Sequence, residues 1–377
     1  DDIAVIGQAA LAGGAAGLCA INTTGPGYTE SHGHPILSNG LGGMSGKGVL
    51  PVTLKALAAL RAVTDAPLIG CGGLSSAADC RAVAHCGATI FGIGSGLTGL
   101  DTQALGHYFA DLAHDMNHQT DRAAAQVHFD LDMSFSPYQV TDNKPVCDDI
   151  SVVTLDGSLD IRAGEYVFVW IPGVGEKPFS CLTADPVRLA VINVGPFTDA
   201  CYQVSPGETI YLRGPHGVAV SPPDDAHIVC VAGGTGLAAV YQIARDNPGS
   251  EVFTGARTAE RLYYLNECRN IASVHVATDD GTAGFSGRVT ELLEDYLKTL
   301  PSAELEDLVF YNCGPEPMVH AAVAVQTRYA QPHQIFSAID YLTKCGVGIC
   351  GACATPDGQR LCVDGPFLTP PETASTL

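Results

Sequence analysis

The stretch Lys344–Gly365, KCGVGICGACATPDGQRLCVDG, spaces its cysteines as Cys345-x4-Cys350-x2-Cys353-x8-Cys362. Thiolates so close together are ligands for a soft metal or for iron–sulfur chemistry. The C-x4-C-x2-C run with a later fourth cysteine is the plant-type 2Fe–2S spacing. Structural zinc, the alternative, usually takes two short cysteine pairs held apart by a finger, and one compact loop of three fits that poorly. Gly346, Gly348, Gly351 and Ala352 lie between the ligands, and glycine permits the tight left-handed turns that aim backbone N–H groups at sulfur. The reading is a 2Fe–2S site on Cys345, Cys350, Cys353 and Cys362. A one-electron carrier needs partners able to exchange electrons with it.

Two further motifs supply candidates. VAGGTGLAAVYQIA, Val231–Ala244, sets Gly233, Gly234, Thr235 and Gly236 between an apolar strand and a helix. There a dinucleotide can approach the backbone at a helix N-terminus. CGPEPM, Cys313–Met318, follows the last strand of the same segment, at the edge where cofactors lie in open α/β sheets. Nearer the N-terminus, INTTGPG, GGMSGKG (Gly42–Gly48, read as a flexible loop), GCGG (Gly70–Gly73) and GIGSG (Gly92–Gly96) punctuate apolar runs. In a (β/α)8 barrel such strand ends carry catalytic groups and a phosphate site.

These motifs need four kinds of element to hold them. Residues 1–117 alternate helix with short buried strands, GLCAIN, APLIGC and ATIFGIG, the pattern of parallel α/β units. Residues 117–125 form a polar connector. Residues 126–222 carry short β runs between Pro, Gly and Asp turns: VHFDLDM, ISVVTL, EYVFVWI, VRLAVINV and TIYLRG. They predict a small antiparallel barrel. Residues 223–330 return to strand–helix alternation, a doubly wound nucleotide-binding domain, and residues 331–377 hold the cysteine cluster. The expected fold class is therefore α/β plus β.

Composition narrows the function. Hydrophobic residues make up 46% of 377 and charged residues 16%, enough apolar sequence for several buried cores. The net charge of −21, from 19 basic against 40 acidic residues, argues against nucleic acid or an anionic membrane as partner. No transmembrane run is visible, and the apolar N-terminal stretch lacks a basic n-region. The other cysteines, such as Cys80, Cys86, Cys230 and Cys268, sit in apolar surroundings, which suits a reducing cytoplasm better than a disulfide scaffold. Cys19 and Cys71 lie on strands and read as core. The chain opens without methionine, in a helical stretch, and is expected to be a fragment.

From residue 126 to 377 the order of barrel, GGTG, TDDG (Thr278–Gly281), CGPEPM and KCGVGICGACA…CVDGP resembles the electron-transfer subunit of NAD-dependent (type B) dihydroorotate dehydrogenases, in the ferredoxin reductase superfamily. The resemblance implies that the four cysteines bind the cluster. It implies FAD at Lys177, Pro178, Phe179 and Ser180, at Val191 and Ile192, and at Phe197 and Thr198. It implies NAD at Gly233, Gly234, Thr235 and Gly236 and at Cys313, Gly314, Pro315 and Glu316. Lys177 stands where the family's motif has arginine, keeping the charge without the planar fork.

Residues 1–116 resemble the last third of the same enzyme's catalytic subunit. By that match Asn22 and Thr23 would bind the pyrimidine, and Ile21, Gly46, Gly72, Gly73, Gly94 and Ser95 would hold FMN. Met44 and Lys47 replace the usual Leu and Pro. Only three of eight strands are present, too few to close a barrel. The family's cysteine base lies upstream, so no catalytic base is assigned. The resemblance implies oxidation of (S)-dihydroorotate to orotate in pyrimidine biosynthesis, electrons passing from FMN through 2Fe–2S and FAD to NAD+, with this chain alone supplying the electron-transfer part. It also implies a homo-oligomer or a missing barrel half as partner. The competing readings are a dihydropyrimidine dehydrogenase or another flavin/iron–sulfur NAD(P)H oxidoreductase, and a non-catalytic electron-transfer partner.

Overall fold

The computed structural model describes residues 2–123, 132–339 and 342–370. Most of the expected strand VHFDLDM, the end of the connector and the boundary at 126 lie outside the described residues. The chain forms two compact units, Asp1–Asp132 with Val347–Gly351, and Met133–Gly346 with Ala352–Leu377.

In the first unit, α1 (Ile3–Ala12), β1 (Leu18–Ala20), α2 (Leu50–Arg61), β2 (Leu68–Cys71), α3 (Ala77–His85), β3 (Ile90–Gly92) and α4 (Thr102–His118) follow in order. The strands pair in parallel as β1-β2-β3. Helix α2 buries Thr53, Ala56, Leu57 and Leu60, one face at helical spacing, against Leu68, Cys80 and Val83. Asp101 caps α4 by accepting from Ala104 N at 2.7 Å.

Two local expectations change. Leu41–Met44 is a strand paired with Thr24–Tyr28, and Lys47–Val49 a short 3-10 turn, so Gly42–Gly48 is largely ordered rather than a flexible loop. Cys19 is exposed rather than core, and Ile90 is half exposed. Strand side chains alternate between faces, and one face of this three-stranded sheet is left uncovered by the helices that bury the other.

The second unit starts with a seven-stranded antiparallel sheet. Its elements are β4 (Ser136–Pro145), β5 (Ile150–Leu155), β6 (Tyr166–Ile171), β7 (Gly175–Phe179), β8 (Cys181–Ala184), β9 (Val187–Ile192), α5 (Pro196–Gln203) and β10 (Thr209–His216). The strand order is β7-β6-β10-β4-β5-β9-β8. Strand β6, YVFVWI, is buried on both faces. Val167 and Val169 point into the barrel core with Val153, Leu189 and Leu212, while Tyr166 and Phe168 point the other way, to the C-terminal cysteines.

A parallel sheet follows, with β11 (His227–Gly233), α6 (Gly236–Asp246), β12 (Glu251–Ala256), β13 (Ser273–Thr278), β14 (Phe285–Ser286), α7 (Val289–Thr299), β15 (Leu308–Cys313), α8 (Glu316–Gln326) and β16 (Ile335–Ala338). Its order is β14-β13-β12-β11-β15-β16, so the direction of winding reverses between β11 and β15. Helices cover both faces, and Val229 and Val231 serve one core while Ile228, Cys230 and Ala232 serve the other. Gln242 Nε2 donates to the Cys181 carbonyl at 2.8 Å and Arg261 pairs with Asp149 at 2.7 Å, joining this domain to the barrel. Among the described residues no helix is long and apolar enough to cross a membrane.

Candidate functional site

The cysteine-bearing lobe packs on the outer face of β6 and β10. Cys353 and Cys362 are buried with their sulfurs 3.4 Å apart, and Cys362 also hydrogen-bonds Cys345. That bond to Cys345, then burial and the bond with Cys353, push the Cys362 thiol well above its ordinary value. Three thiols are thus gathered where their ionised forms would repel one another, a donor set that a cationic iron core satisfies. Cys350 is exposed, in the stretch Val347–Gly351 that groups with the first unit. Among the described residues no three His, Cys, Asp or Glu side chains already surround one ion-sized point. Zinc needs four donors on one centre, whereas a 2Fe–2S core divides its donors between two irons.

Behind the thiols stands a buttress that sequence reasoning missed. Arg213, buried, lies 3.9 Å over the Phe168 ring and pairs with Glu176 through two contacts of 2.8 and 3.2 Å. It also donates to His216 Nε2 at 3.0 Å, so the neutral imidazole carries its proton on Nδ1. Burial, then the Arg213 charge, hold His216 down at about 4, although its hydrogen bond to the Gly346 backbone opposes them. Gly346 has φ +76°, and a Cβ there would sit 2.7 Å from Phe168. Glycine is therefore required twice over at the first turn of the loop. The signal was present in YVFVWI: a strand apolar at every position serves two faces.

The two nucleotide motifs, eighty residues apart in sequence, meet at the reversal between β11 and β15. A methyl on Gly236 would strike the Cys313 carbonyl, and one on Gly233 would come within 2.6 Å of Met318 and 3.0 Å of Pro315. Gly234, φ +52°, faces open space. The backbone beneath Gly314 is fixed by a buried amide pair in which Asn312 and Gln326 exchange hydrogen bonds of 2.9 and 2.7 Å.

The barrel residues assigned to the flavin fall on neighbouring elements. Phe179, ending β7, and Phe197, in α5, bring their rings to 6.2 Å. Thr198 Oγ1 accepts from Val194 and Gly195 N at 3.0 Å, which shapes the turn into α5, and Gly195 borders open space. Lys177 is exposed, Pro178, Ser180 and Ile192 are half-buried, and Val191 lies wholly inside the barrel core, so only its backbone can meet a ligand.

In the first unit, Ile21, Asn22, Gly72, Gly94 and Ser95 follow the C-terminal ends of the three parallel strands. Asn22 and Thr23 are exposed. Gly46, Gly72 and Gly73 converge at the start of α2, where a Cβ on Gly73 would approach Leu50 N to 2.7 Å and Gly46 O to 3.0 Å. Thr53 Oγ1 donates to the Gly72 carbonyl at 2.8 Å. Gly46 and Gly94 face open space. Lys47 is paired with the buried carboxylate of Asp79, which also accepts from Ser75 N at 3.0 Å.

Residues 1–116 match the Dihydroorotate dehydrogenase family model, residues 230–324 the Oxidoreductase NAD-binding domain, and residues 342–372 the Iron-sulfur cluster binding domain of dihydroorotate dehydrogenase B. The probable dihydroorotate dehydrogenase B (NAD(+)) electron transfer subunit of Methanocaldococcus jannaschii is 35% identical over 58% of this chain and 83% of its own length. The Thermococcus kodakarensis protein of the same name is 32% identical over 59% of this chain and 91% of its own. A solved NADH-dependent reduced ferredoxin-NADP oxidoreductase superposes with a TM-score of 0.55 at 23% identity, covering 63% of this chain and 90% of that one. This likeness gives a ferredoxin-reductase-like fold. With the barrel, the switch-point crevice and the thiol loop assembled in the family's order, the chain belongs to the dihydroorotate dehydrogenase B electron transfer subunit family.

Proposed function

We propose that this chain carries electrons in the NAD-dependent oxidation of (S)-dihydroorotate to orotate. The observation that carries this reading is the assembly, within one compact unit, of a gathered thiol group, a barrel beside it and a dinucleotide crevice. We read the chain as four modules: 1–117, part of a (β/α)8 barrel; 126–222, an FAD barrel; 223–330, an NAD domain; and 331–377, a 2Fe–2S lobe. Flavins, when bound, convert hydride pairs into single electrons, and an iron–sulfur cluster relays them singly.

The residues fit those groups. Cys345, Cys350, Cys353 and Cys362 would hold the cluster, and Gly346 lets the loop lie flat on Phe168 and Arg213. Gly233–Gly236 and Cys313–Glu316 would bind NAD, with Gly234 leaving the backbone open at the start of α6. Lys177–Ser180, Val191–Ile192 and Phe197–Thr198 would bind FAD, the N-terminus of α5 favouring its pyrophosphate. Asn22 and Thr23 would bind the pyrimidine. Ile21, Gly46, Gly72, Gly73, Gly94 and Ser95 would hold FMN, with Gly46 and Gly94 open to it.

Exposed Cys19, Ile90, Val5 and Ile6 support the reading of the first module as an incomplete barrel whose partner is the rest of the catalytic half. The test uses the chain as it stands. Purified anaerobically, it should contain iron, acid-labile sulfide and FAD, and should oxidise NADH with an artificial acceptor while forming no orotate. Zinc without iron or sulfide would overturn the cluster assignment, and orotate production by this chain alone would overturn the division of labour.

A further inference from the structure

Tyr166 opens β6 on the face opposite the barrel core. It packs with Phe168, Cys353, Leu361 and Cys362, with Cys345 at the edge of the same group. Its residue surface is 6% exposed, and its hydroxyl has no hydrogen-bond partner among the described residues. A buried hydroxyl without a partner is costly, so this one calls for an acceptor in the space it faces. The imidazole of His216, at 5.9 Å between ring centroids, is committed, since its Nε2 accepts from Arg213 and it bonds the Gly346 backbone. A phenol, with an ordinary pKa of about 10, is a donor at neutral pH. Within the apolar group it packs in, the side-chain hetero-atoms are the sulfurs of Cys345, Cys353 and Cys362.

We propose that the Tyr166 hydroxyl donates a hydrogen bond to a sulfur of the iron–sulfur centre assigned above to Cys345, Cys350, Cys353 and Cys362, and so sets its reduction potential. The proposal rests on the cluster assignment above. Reduction adds one negative charge to the centre. A donor aimed at its sulfur stabilises the reduced form more than the oxidised one and raises the potential. Tyr166 is thereby a positioning and tuning residue: it ligates nothing and exchanges no electron.

The experiment compares wild type and Y166F, both as the cluster-loaded full chain, by redox titration monitored by EPR. Y166F should hold the same iron and sulfide and be harder to reduce by about tenfold in the equilibrium, about 59 mV for one electron. Its Fe–S stretching bands should also lose part of the shift seen in deuterated water. Equal potentials and equal deuterium shifts in two fully loaded proteins would overturn the proposal while leaving the cluster assignment standing. Absence of iron and sulfide from both would overturn that assignment instead. If Y166F does not retain its cluster, wild type grown with 3-fluorotyrosine decides. The more acidic phenol is a stronger donor and should raise the potential, and an unchanged value would overturn the proposal.

Discussion

Asn312 and Gln326 face one another in the interior of the parallel sheet, each fully buried, and exchange two amide hydrogen bonds of 2.9 and 2.7 Å. Asn312 Nδ2 also reaches Ser337 Oγ at 3.1 Å. The pair ties β15 to α8 and β16 one residue before Cys313, so the loop at the crevice inherits its position from them. Replacing Gln326 by leucine leaves Asn312 Oδ1 without its donor in the core, a loss of about 1–3 kcal/mol. Urea unfolding should show that loss, together with a raised KM for NADH. An unchanged unfolding midpoint would mean that the pair does not hold the loop.

Gly236 has no room for a side chain against the Cys313 carbonyl. G236A should separate the two crevice loops at a cost of about 1–3 kcal/mol. NADH affinity, read by fluorescence titration, should fall at least tenfold. G234A is the control for crowding, because Gly234 faces open space and only its positive φ is at stake. Equal affinity in G236A and wild type would remove the crevice from the nucleotide site.

C353S and C362S should each abolish the visible absorbance and iron content of anaerobically purified protein. Serine is a harder, poorer ligand for this centre than thiolate. C201S, at a cysteine buried in the barrel core, should retain both. Full iron in C353S would show that the gathered thiols are ordinary core residues.

Asp115, with its side chain buried, sits in the last turn of α4 and accepts from Ala123 N at 2.9 Å and from Thr120 and Arg122. Burial alone would raise its carboxyl, but these hydrogen bonds outweigh it and hold it at about 2, below its ordinary 3.8. A depressed folded-state value stabilises the fold above pH 3.8, and that contribution is lost as pH falls through about 2. In thermal unfolding, the gap between wild type and D115N should be constant above pH 4 and close towards pH 2. A gap independent of pH would mean that Asp115 acts only as a neutral acceptor.

The sequence by itself determined the parts. Cysteine spacing, glycine turns after apolar runs, and the change from 3.6-residue to two-residue periodicity are local properties. The loops at Gly233, Cys313 and Cys345 could therefore be found without coordinates. The two-faced burial of EYVFVWI was also written in the sequence, though as a strand rather than as the wall of a site. Tertiary structure alone decided what those parts meet. Arg213, Glu176 and His216 look like ordinary strand residues until β6, β7 and β10 are laid side by side, and Tyr166 is an unremarked aromatic until its hydroxyl is found buried with the cysteines. The same holds for Asn312 and Gln326, whose amides pair only because a helix returns over its strand. Cys19 is the converse case: its strand was legible, but its exposure depends on which face the helices cover. Spacing along a chain specifies a ligand set or a turn; which buried polar group finds its partner depends on register and on which strands are neighbours.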